Sequence, residues 1–253
     1  MCTLSWLLND DGYEVFFNRD EQHTRAQAIA PSLHTNINVI MPIDPQGLGS
    51  WIGSNLQGNT LCLLNNYQKQ QAMNSQRNYI SRGQLIPELL QLSDLSNIEY
   101  SLNALDLNNF LAFFLCVFPE DLTSTHNTPA IYQWDGNKLT QEHVKQPVIS
   151  SSVEAADVIK MRTAVFYDII KASDSCQSHL KYHSSHVPEK GYQSVCMHRK
   201  DAQTQSLTHI SVNHEIRFRY LDGAPCENHD WVDITYPKKK SLNAKKMEAS
   251  GCV

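Results

Sequence analysis

The chain lacks every short cysteine motif that would name its chemistry from spacing alone. Its seven cysteines are scattered (Cys2, Cys62, Cys116, Cys176, Cys196, Cys226, Cys252), with no CxxC pair. An odd, dispersed set excludes the usual disulfide framework and a metal site of ordinary zinc spacing. Reduced thiols in a cytoplasm are the expectation. There is no CxxCH, which excludes covalent c-type haem attachment.

Long apolar runs are also missing. The longest, Phe110 to Phe118, has the length of a strand, whereas a membrane-spanning helix needs about 20 residues. The apolar stretch Leu4 to Leu8 has no basic residue before it and meets Asp10 and Asp11 at once, so it reads as neither signal peptide nor span. Cys252 is wrongly placed for prenylation. Charge is sparse: 21 basic and 26 acidic residues leave a net of −5, which excludes a global pull toward nucleic acid or acidic membrane. No linker or internal repeat divides residues 1–237, which are read as one domain. Residues 238–253, with Lys238-Lys239-Lys240 and Lys245-Lys246, are expected to be a basic, disordered tail.

What is present is concentrated at the start. Cys2 to Leu8 is β-prone, Asn9-Asp10-Asp11-Gly12 is a hairpin turn, and Tyr13 to Phe17 is the return strand. A short hairpin brings its far end back to its beginning, so Asn18-Arg19-Asp20-Glu21 should emerge beside Cys2. If Met1 is removed, Cys2 carries a thiol and a free α-amine on one residue. An α-amine titrates near 7.7–8.0 and can act as a general base at neutral pH. That is the layout of an N-terminal nucleophile. A lone Cys2 would otherwise be a small core residue, and Arg19 would otherwise be half of a structural arginine–carboxylate pair.

Downstream, residues 22–47 read as a loop-rich excursion because of Pro31, Pro42, Pro45 and Gly47. Gly49 to Gly53 and Asn59 to Leu64 form a second hairpin that ends at Asn65-Asn66-Tyr67, a polar strand end suited to a site wall. Asn78 to Leu92 has helical periodicity, and Leu102 to Leu107 suggests a helical turn. Phe110 to Phe118 is a strand buried on both faces, and Ile131 to Trp134 with Leu139 to Val144 is a hairpin. Val153 to Ala172 is an amphipathic helix with Ser150 to Ser152 available as its cap. Ser173 to Lys190 is a loop or short helix. Gln193 to His198, Leu207 to Val212 and Glu215 to Tyr220 are strands. The order, β-rich then alternating with helices, suits an α+β fold of two antiparallel sheets covered by helices.

The ordered set Met1-Cys2, Asn18-Arg19-Asp20-Glu21, Gly49-Ser50-Trp51-Ile52-Gly53, Asn65-Asn66-Tyr67, Arg82-Gly83-Gln84-Leu85 and Gly191-Tyr192-Gln193-Ser194 resembles the NRDE family, also called the transport and Golgi organisation protein 2 family. The resemblance runs over about residues 1–235. The family is similar in turn to the N-terminal nucleophile hydrolases of the cholylglycine hydrolase and penicillin V acylase group. That similarity implies a four-layer αββα sandwich in which an N-terminal cysteine attacks a non-peptide amide. Carried onto this chain, Cys2 matches the nucleophile and Arg19 the arginine that follows the first hairpin. Asp20 or Glu21 matches the hydrolases' aspartate loosely, because here the acid directly follows the arginine. Asn65 or Asn66 is a candidate oxyanion donor.

Two functions follow as expectations. The NRDE resemblance implies intracellular binding and trafficking of haem, or of a similar apolar acidic ligand such as an acyl chain. The pocket would be built from Cys2, Asn18, Arg19, Glu21, Trp51, Asn65 and Tyr67, with His183, His186 and His198 among candidate haem ligands. The alternative is a cysteine amidohydrolase with Cys2, Arg19, Asp20 and Asn66 as its machinery. No metal site and no required cofactor are expected, haem being cargo. A small-molecule ligand is the expected partner, with no nucleic acid and no integral membrane association. A homo-oligomer is implied only by the hydrolase relatives, and the location is expected to be cytoplasmic.

Overall fold

A computed structural model describes residues 1–69, 78–92, 95, 98–142 and 145–239. The first hairpin forms as the sequence dictates. Strand β1 (Cys2–Asn9) pairs with β2 (Gly12–Gln22) in an antiparallel ladder that sets Cys2 opposite Arg19. These two strands sit inside a six-stranded antiparallel sheet with β10 (Val148–Ser150), β11 (Ala202–Val212), β12 (Glu215–Asp222) and β13 (Trp231–Pro237), in the order β10-β1-β2-β11-β12-β13. A seven-stranded antiparallel sheet holds β3 (Ile29–His34), β4 (Val39–Ile43), β5 (Ile52–Asn55), β6 (Thr60–Asn65), β7 (Phe113–Phe118), β8 (Ala130–Trp134) and β9 (Leu139–Glu142), paired in chain order.

Strand alternation sorts side chains into three apolar layers. Leu4, Trp6, Val15, Phe17 and Ile210 of the first sheet meet Ile40, Ile52, Cys62, Leu64 and Phe118 of the second. The other face of the second sheet, with Leu61, Leu63, Leu115 and Val117, is covered by α1 (Leu85–Leu90) and α2 (Ile98–Ala104). The outer face of the first sheet is covered by α3 (Ala155–Ile170) and α4 (Cys176–His183), with Val158 against Ile149 and Phe166 against Tyr182. The layers therefore run αββα. Phe113 to Phe118 is buried from both sides, since Leu115 and Val117 face α1 and α2 while Cys116 and Phe118 face the first sheet.

Several expectations are corrected. The excursion at 22–47 contains β3 and β4; Pro31 is tolerated because β3 is an edge strand with an irregular register between Ile29 and Ser32. Helix α3 begins at Ala155 without a serine cap, and Glu154 takes φ +41° before it. Ser150 instead pairs with Cys2 in the sheet, and its hydroxyl donates to Asn65 O. Gln193 to His198 is irregular rather than a strand. Strand β13 has no forecast in the sequence pattern, because Trp231–Pro237 alternates only weakly at an exposed edge. Lys238 and Lys239 are not free tail: Lys238 Nζ donates to Glu120 O at 2.5 Å and the Lys239 amide to Leu56 O at 2.7 Å. Residues 240–253 of the expected tail lie outside the described residues, as do His143 and Val144 of the Leu139 to Val144 strand.

Candidate active site

The two-residue period of a strand decides where the Asn18-Arg19-Asp20-Glu21 tetrad points. On β1, Cys2, Leu4 and Trp6 face the second sheet, while Thr3 and Ser5 face the helices. Because Cys2 pairs with Arg19, Arg19 and Glu21 share its inner face, and Asn18 and Asp20 take the outer one.

The inner face opens into a cavity of about 420 Å3 walled by Cys2, Arg19, Glu21, Trp51, Asn65, Arg82 and neighbours. Arg19 is 7% exposed; its Nη2 lies 3.5 Å from Asp44 Oδ2 and 3.6 Å from Glu21 Oε2. The guanidinium stacks over Trp51, 4.4 Å from the ring centroid. Arg25 Nη2 meets the same Asp44 oxygen at 2.5 Å. Burial alone would raise the Asp44 carboxyl, but Arg25 and then Arg19 outweigh it and hold it below its ordinary range.

Arg82 enters the cavity from the turn before α1. Two glycines make this approach possible: the Ser50 amide donates to Gly83 O at 2.9 Å, and a Cβ on Gly49 would overlap the Gly83 carbonyl. Arg82 Nη1 donates to Ala112 O at 2.9 Å. Among the described residues it has no carboxylate partner within ion-pair distance. Burial draws its pKa below the ordinary arginine value, opposed by Tyr67 and Cys2. The cavity thus holds three arginines against Asp44 and Glu21, since the third acid of its wall, Asp20, is paired from behind with Arg162.

The outer-face residues do other work. Asp20 touches the cavity wall, but its carboxylate accepts from Arg162 Nη1 at 3.0 Å and from Thr204 Oγ1 at 2.7 Å. Asn18, expected to bind ligand, is fully buried away from the cavity; its Nδ2 donates to His183 O and Val195 O. Of the two asparagines, Asn65 lines the cavity, and its Nδ2 donates to Tyr67 OH at 2.8 Å. Asn66, expected in the machinery, is 2% exposed and is not among the described wall residues; its Nδ2 has no partner among the described residues. Tyr67, also expected to bind ligand, is not among the described wall residues. No histidine is among the described wall residues, and His183, His186 and His198 lie outside this cavity. The reading of no metal site from cysteine spacing also missed a cluster elsewhere, where His186, Cys196, His198 and Cys226 converge.

Met1 extends the first ladder by one rung. Its α-amine donates to Asp20 O at 2.9 Å, and the Asp20 amide donates to Met1 O at 2.9 Å. Burial pushes the Cys2 thiol up to about 11, reinforced by Asp20 and Glu21 and opposed by the N-terminal ammonium and Arg19. While Met1 is present the thiol is protonated at neutral pH, and Cys2 has no free amine.

Sequence reasoning found Cys2, Arg19, Glu21, Trp51 and Asn65. It missed Arg25, Asp44 and Arg82 as wall residues. The Arg82-Gly83 pair was visible as a motif, whereas Arg25 and Asp44 lie in the excursion read as loop.

Two antiparallel sheets packed face to face between helices, with Cys2 on an inner strand of the first sheet, define the class of four-layer α+β sandwiches. Within it the chain belongs to the Transport and Golgi organisation 2 family, whose model matches residues 1–222. Among solved structures, the C2A mutant of a conjugated bile acid hydrolase from Clostridium perfringens is 12% identical with a TM-score of 0.49, covering 96% of this chain and 99% of that one. A Caenorhabditis elegans N-acylethanolamine-hydrolyzing acid amidase orthologue is 9% identical with a TM-score of 0.49, covering 82% and 92%. A search of curated proteins returns no match. No helix among the described residues is long and apolar enough to cross a membrane.

Proposed function

We propose that, after loss of Met1, Cys2 is the nucleophile of an amidohydrolase that cleaves a linear, non-peptide amide in a small molecule bearing a carboxylate. The observation that supports this most is the Cys2–Arg19 register, which sets thiol and guanidinium on one face of a cavity that also holds Arg82. The new α-amine of Cys2 takes the thiol proton, and the thiolate attacks the amide carbonyl. The Asn65 side-chain amide, one of whose protons is held by Tyr67 OH, donates its other proton to the developing oxyanion. The C–N bond breaks, the leaving amine takes the proton from the α-ammonium, and a thioester remains. Water then adds, losing its proton to the α-amine, and the acid and free thiol are released. Arg19 favours the thiolate by proximity, and Arg82 takes the substrate carboxylate.

A second reading is supported by Met1. With its amine buried and paired to Asp20 O and the thiol held near 11, the same cavity binds an anionic ligand without cleaving it. A cytoplasmic carrier of haem or an acyl chain would place a carboxylate on Arg82.

The test is a panel of N-acyl amino acids, with uncharged N-acyl amines as controls, assayed with chain whose N-terminus has been defined by mass. Turnover confined to chain lacking Met1, selective for carboxylate-bearing amides and lost in Cys2→Ala, supports hydrolysis. Tight binding without turnover in chain lacking Met1 supports the carrier.

A further inference from the structure

We propose that His186, Cys196, His198 and Cys226 form a tetrahedral site for a thiophilic divalent cation, zinc above all, outside the Cys2 cavity. The four ligand atoms lie within 4.8 Å of one another. His198 Nε2 is 3.5 Å from Cys196 Sγ and 3.2 Å from Cys226 Sγ. A tetrahedral zinc with sulfur at about 2.3 Å and nitrogen at about 2.0–2.1 Å sets adjacent S and N about 3.5 Å apart. His186 packs its ring beside His198, with centroids 5.3 Å apart, and its buried Nε2 has no hydrogen-bond partner among the described residues. A buried ring nitrogen left unpaired beside two thiols needs an explanation, and a metal supplies one. The far nitrogen of His198, Nδ1, lies 4.0 Å from Glu227 Oε1, beyond hydrogen-bond distance, and that oxygen accepts from Lys190 Nζ at 2.9 Å.

Two sulfurs and two imidazoles select zinc over calcium or magnesium. Four protein ligands fill the coordination sphere, so the site is structural. Its place in the fold says what it holds. His186 follows α4, Cys196 and His198 belong to the irregular segment 191–198, and Cys226 lies in the turn between β12 and β13. None of these segments has a strand ladder of its own. The middle segment reaches the cavity's rear wall, because Met197 O accepts from the Thr204 amide and the Thr204 hydroxyl donates to Asp20. Tyr192 O and Gln193 O also accept from Arg162. The cation therefore fixes the loop that braces the back of β2.

The test uses the untagged full chain and zinc chloride alone. Elemental analysis after dialysis should give one zinc per chain, and zinc should protect two thiols from alkylation, mapped by peptide mass to Cys196 and Cys226. Cobalt(II) in its place should give visible bands of tetrahedral geometry with thiolate charge transfer. Cys226→Ser and His198→Gln should weaken binding at least 100-fold, while Cys176→Ser, outside the cluster, should not. Should the ligand variants fail to fold, the cobalt spectrum and thiol map of the unaltered chain decide the matter. A metal-free chain whose Cys196 and Cys226 remain reactive in excess zinc, or are joined as a disulfide in freshly purified protein, would overturn the proposal.

Discussion

Arg162 Nη1 lies 3.0 Å from Asp20 Oδ2, and neither side chain has any exposure. The arginine reaches from α3 through the outer layer and also donates to Thr3 Oγ1 at 2.6 Å. One residue therefore ties both strands of the first hairpin, directly behind Cys2 and Arg19. The acid that follows Arg19 in sequence is thus a brace on the outer face, and its closeness to the arginine in the chain is reversed by strand alternation.

Removing one partner of such a pair leaves an uncompensated buried charge. Asp20→Ala should cost about 3–5 kcal/mol of stability, read from the shift in urea midpoint. The double variant Asp20→Ala with Arg162→Leu should recover part of that loss. A single-variant cost below about 1 kcal/mol would show that the pair is not a brace.

Arg82 should matter to ligands and little to the fold. Arg82→Gln forfeits one hydrogen bond, to Ala112 O, worth about 1 kcal/mol. Affinity for carboxylate-bearing ligands should fall about 10- to 100-fold, measured calorimetrically, with uncharged analogues unaffected. Equal losses for both ligand types would mean that Arg82 shapes the cavity without reading charge.

Stability should fall with acid through the buried histidines of α4. His183 is held well below its ordinary value by burial first, then by His179, Arg162 and His209. It is neutral in the folded chain, with Nδ1 toward Asn18 Oδ1 and Nε2 toward the Ser5 hydroxyl. The unfolded chain takes up the proton below about pH 6.5, so the unfolded state binds more protons there. The stabilisation is complete above that pH and is lost as pH falls, on the order of 1 kcal/mol per unit. Urea midpoints from pH 8 to 5 should show the decline, and His183→Gln should flatten it. An unchanged slope in the variant would assign the decline to other groups.

The fold was legible wherever one sheet face was clearly apolar. The first hairpin and the 49–65 hairpin followed from alternation and turn residues, and the strand read at Phe110 to Phe118, observed at Phe113–Phe118, followed from its continuous apolar run. Strands β3 and β4 were hidden by Pro31, which the edge position of β3 accommodates, and by Pro42, which lies past the two residues of β4 that pair with β5. The site was half legible. Cys2 and Arg19 are joined by a short hairpin, so local rules suffice to bring them together. Arg25, Asp44 and Arg82 reach the cavity only through the packing of separate strands and the Gly49–Gly83 approach. Asn18 and Asp20 were placed with Arg19 by adjacency in sequence, which a strand converts into opposition. The His186, Cys196, His198 and Cys226 cluster had no spacing signature, because its ligands come from three separate segments.

Thiol reactivity should report the state of the N-terminus. In chain that keeps Met1, Cys2 titrates near 11, which leaves about one thiolate in a thousand at pH 8. Alkylation at Cys2 should then rise with pH toward 11. Loss of Met1 places the amine on Cys2 itself and opens it to the cavity, so the profile should move several-fold faster at pH 8. Identical profiles for the two forms would separate the amine from the thiol.

The most direct test of the central claim is intact-mass spectrometry of chain lacking Met1, quenched in acid during exposure to an N-acyl amino acid. The account predicts a population heavier by one acyl group, mapped to Cys2 by peptide mass, absent from Cys2→Ala and from chain retaining Met1. Turnover with no acyl adduct at Cys2, or full activity in Cys2→Ala, would contradict it.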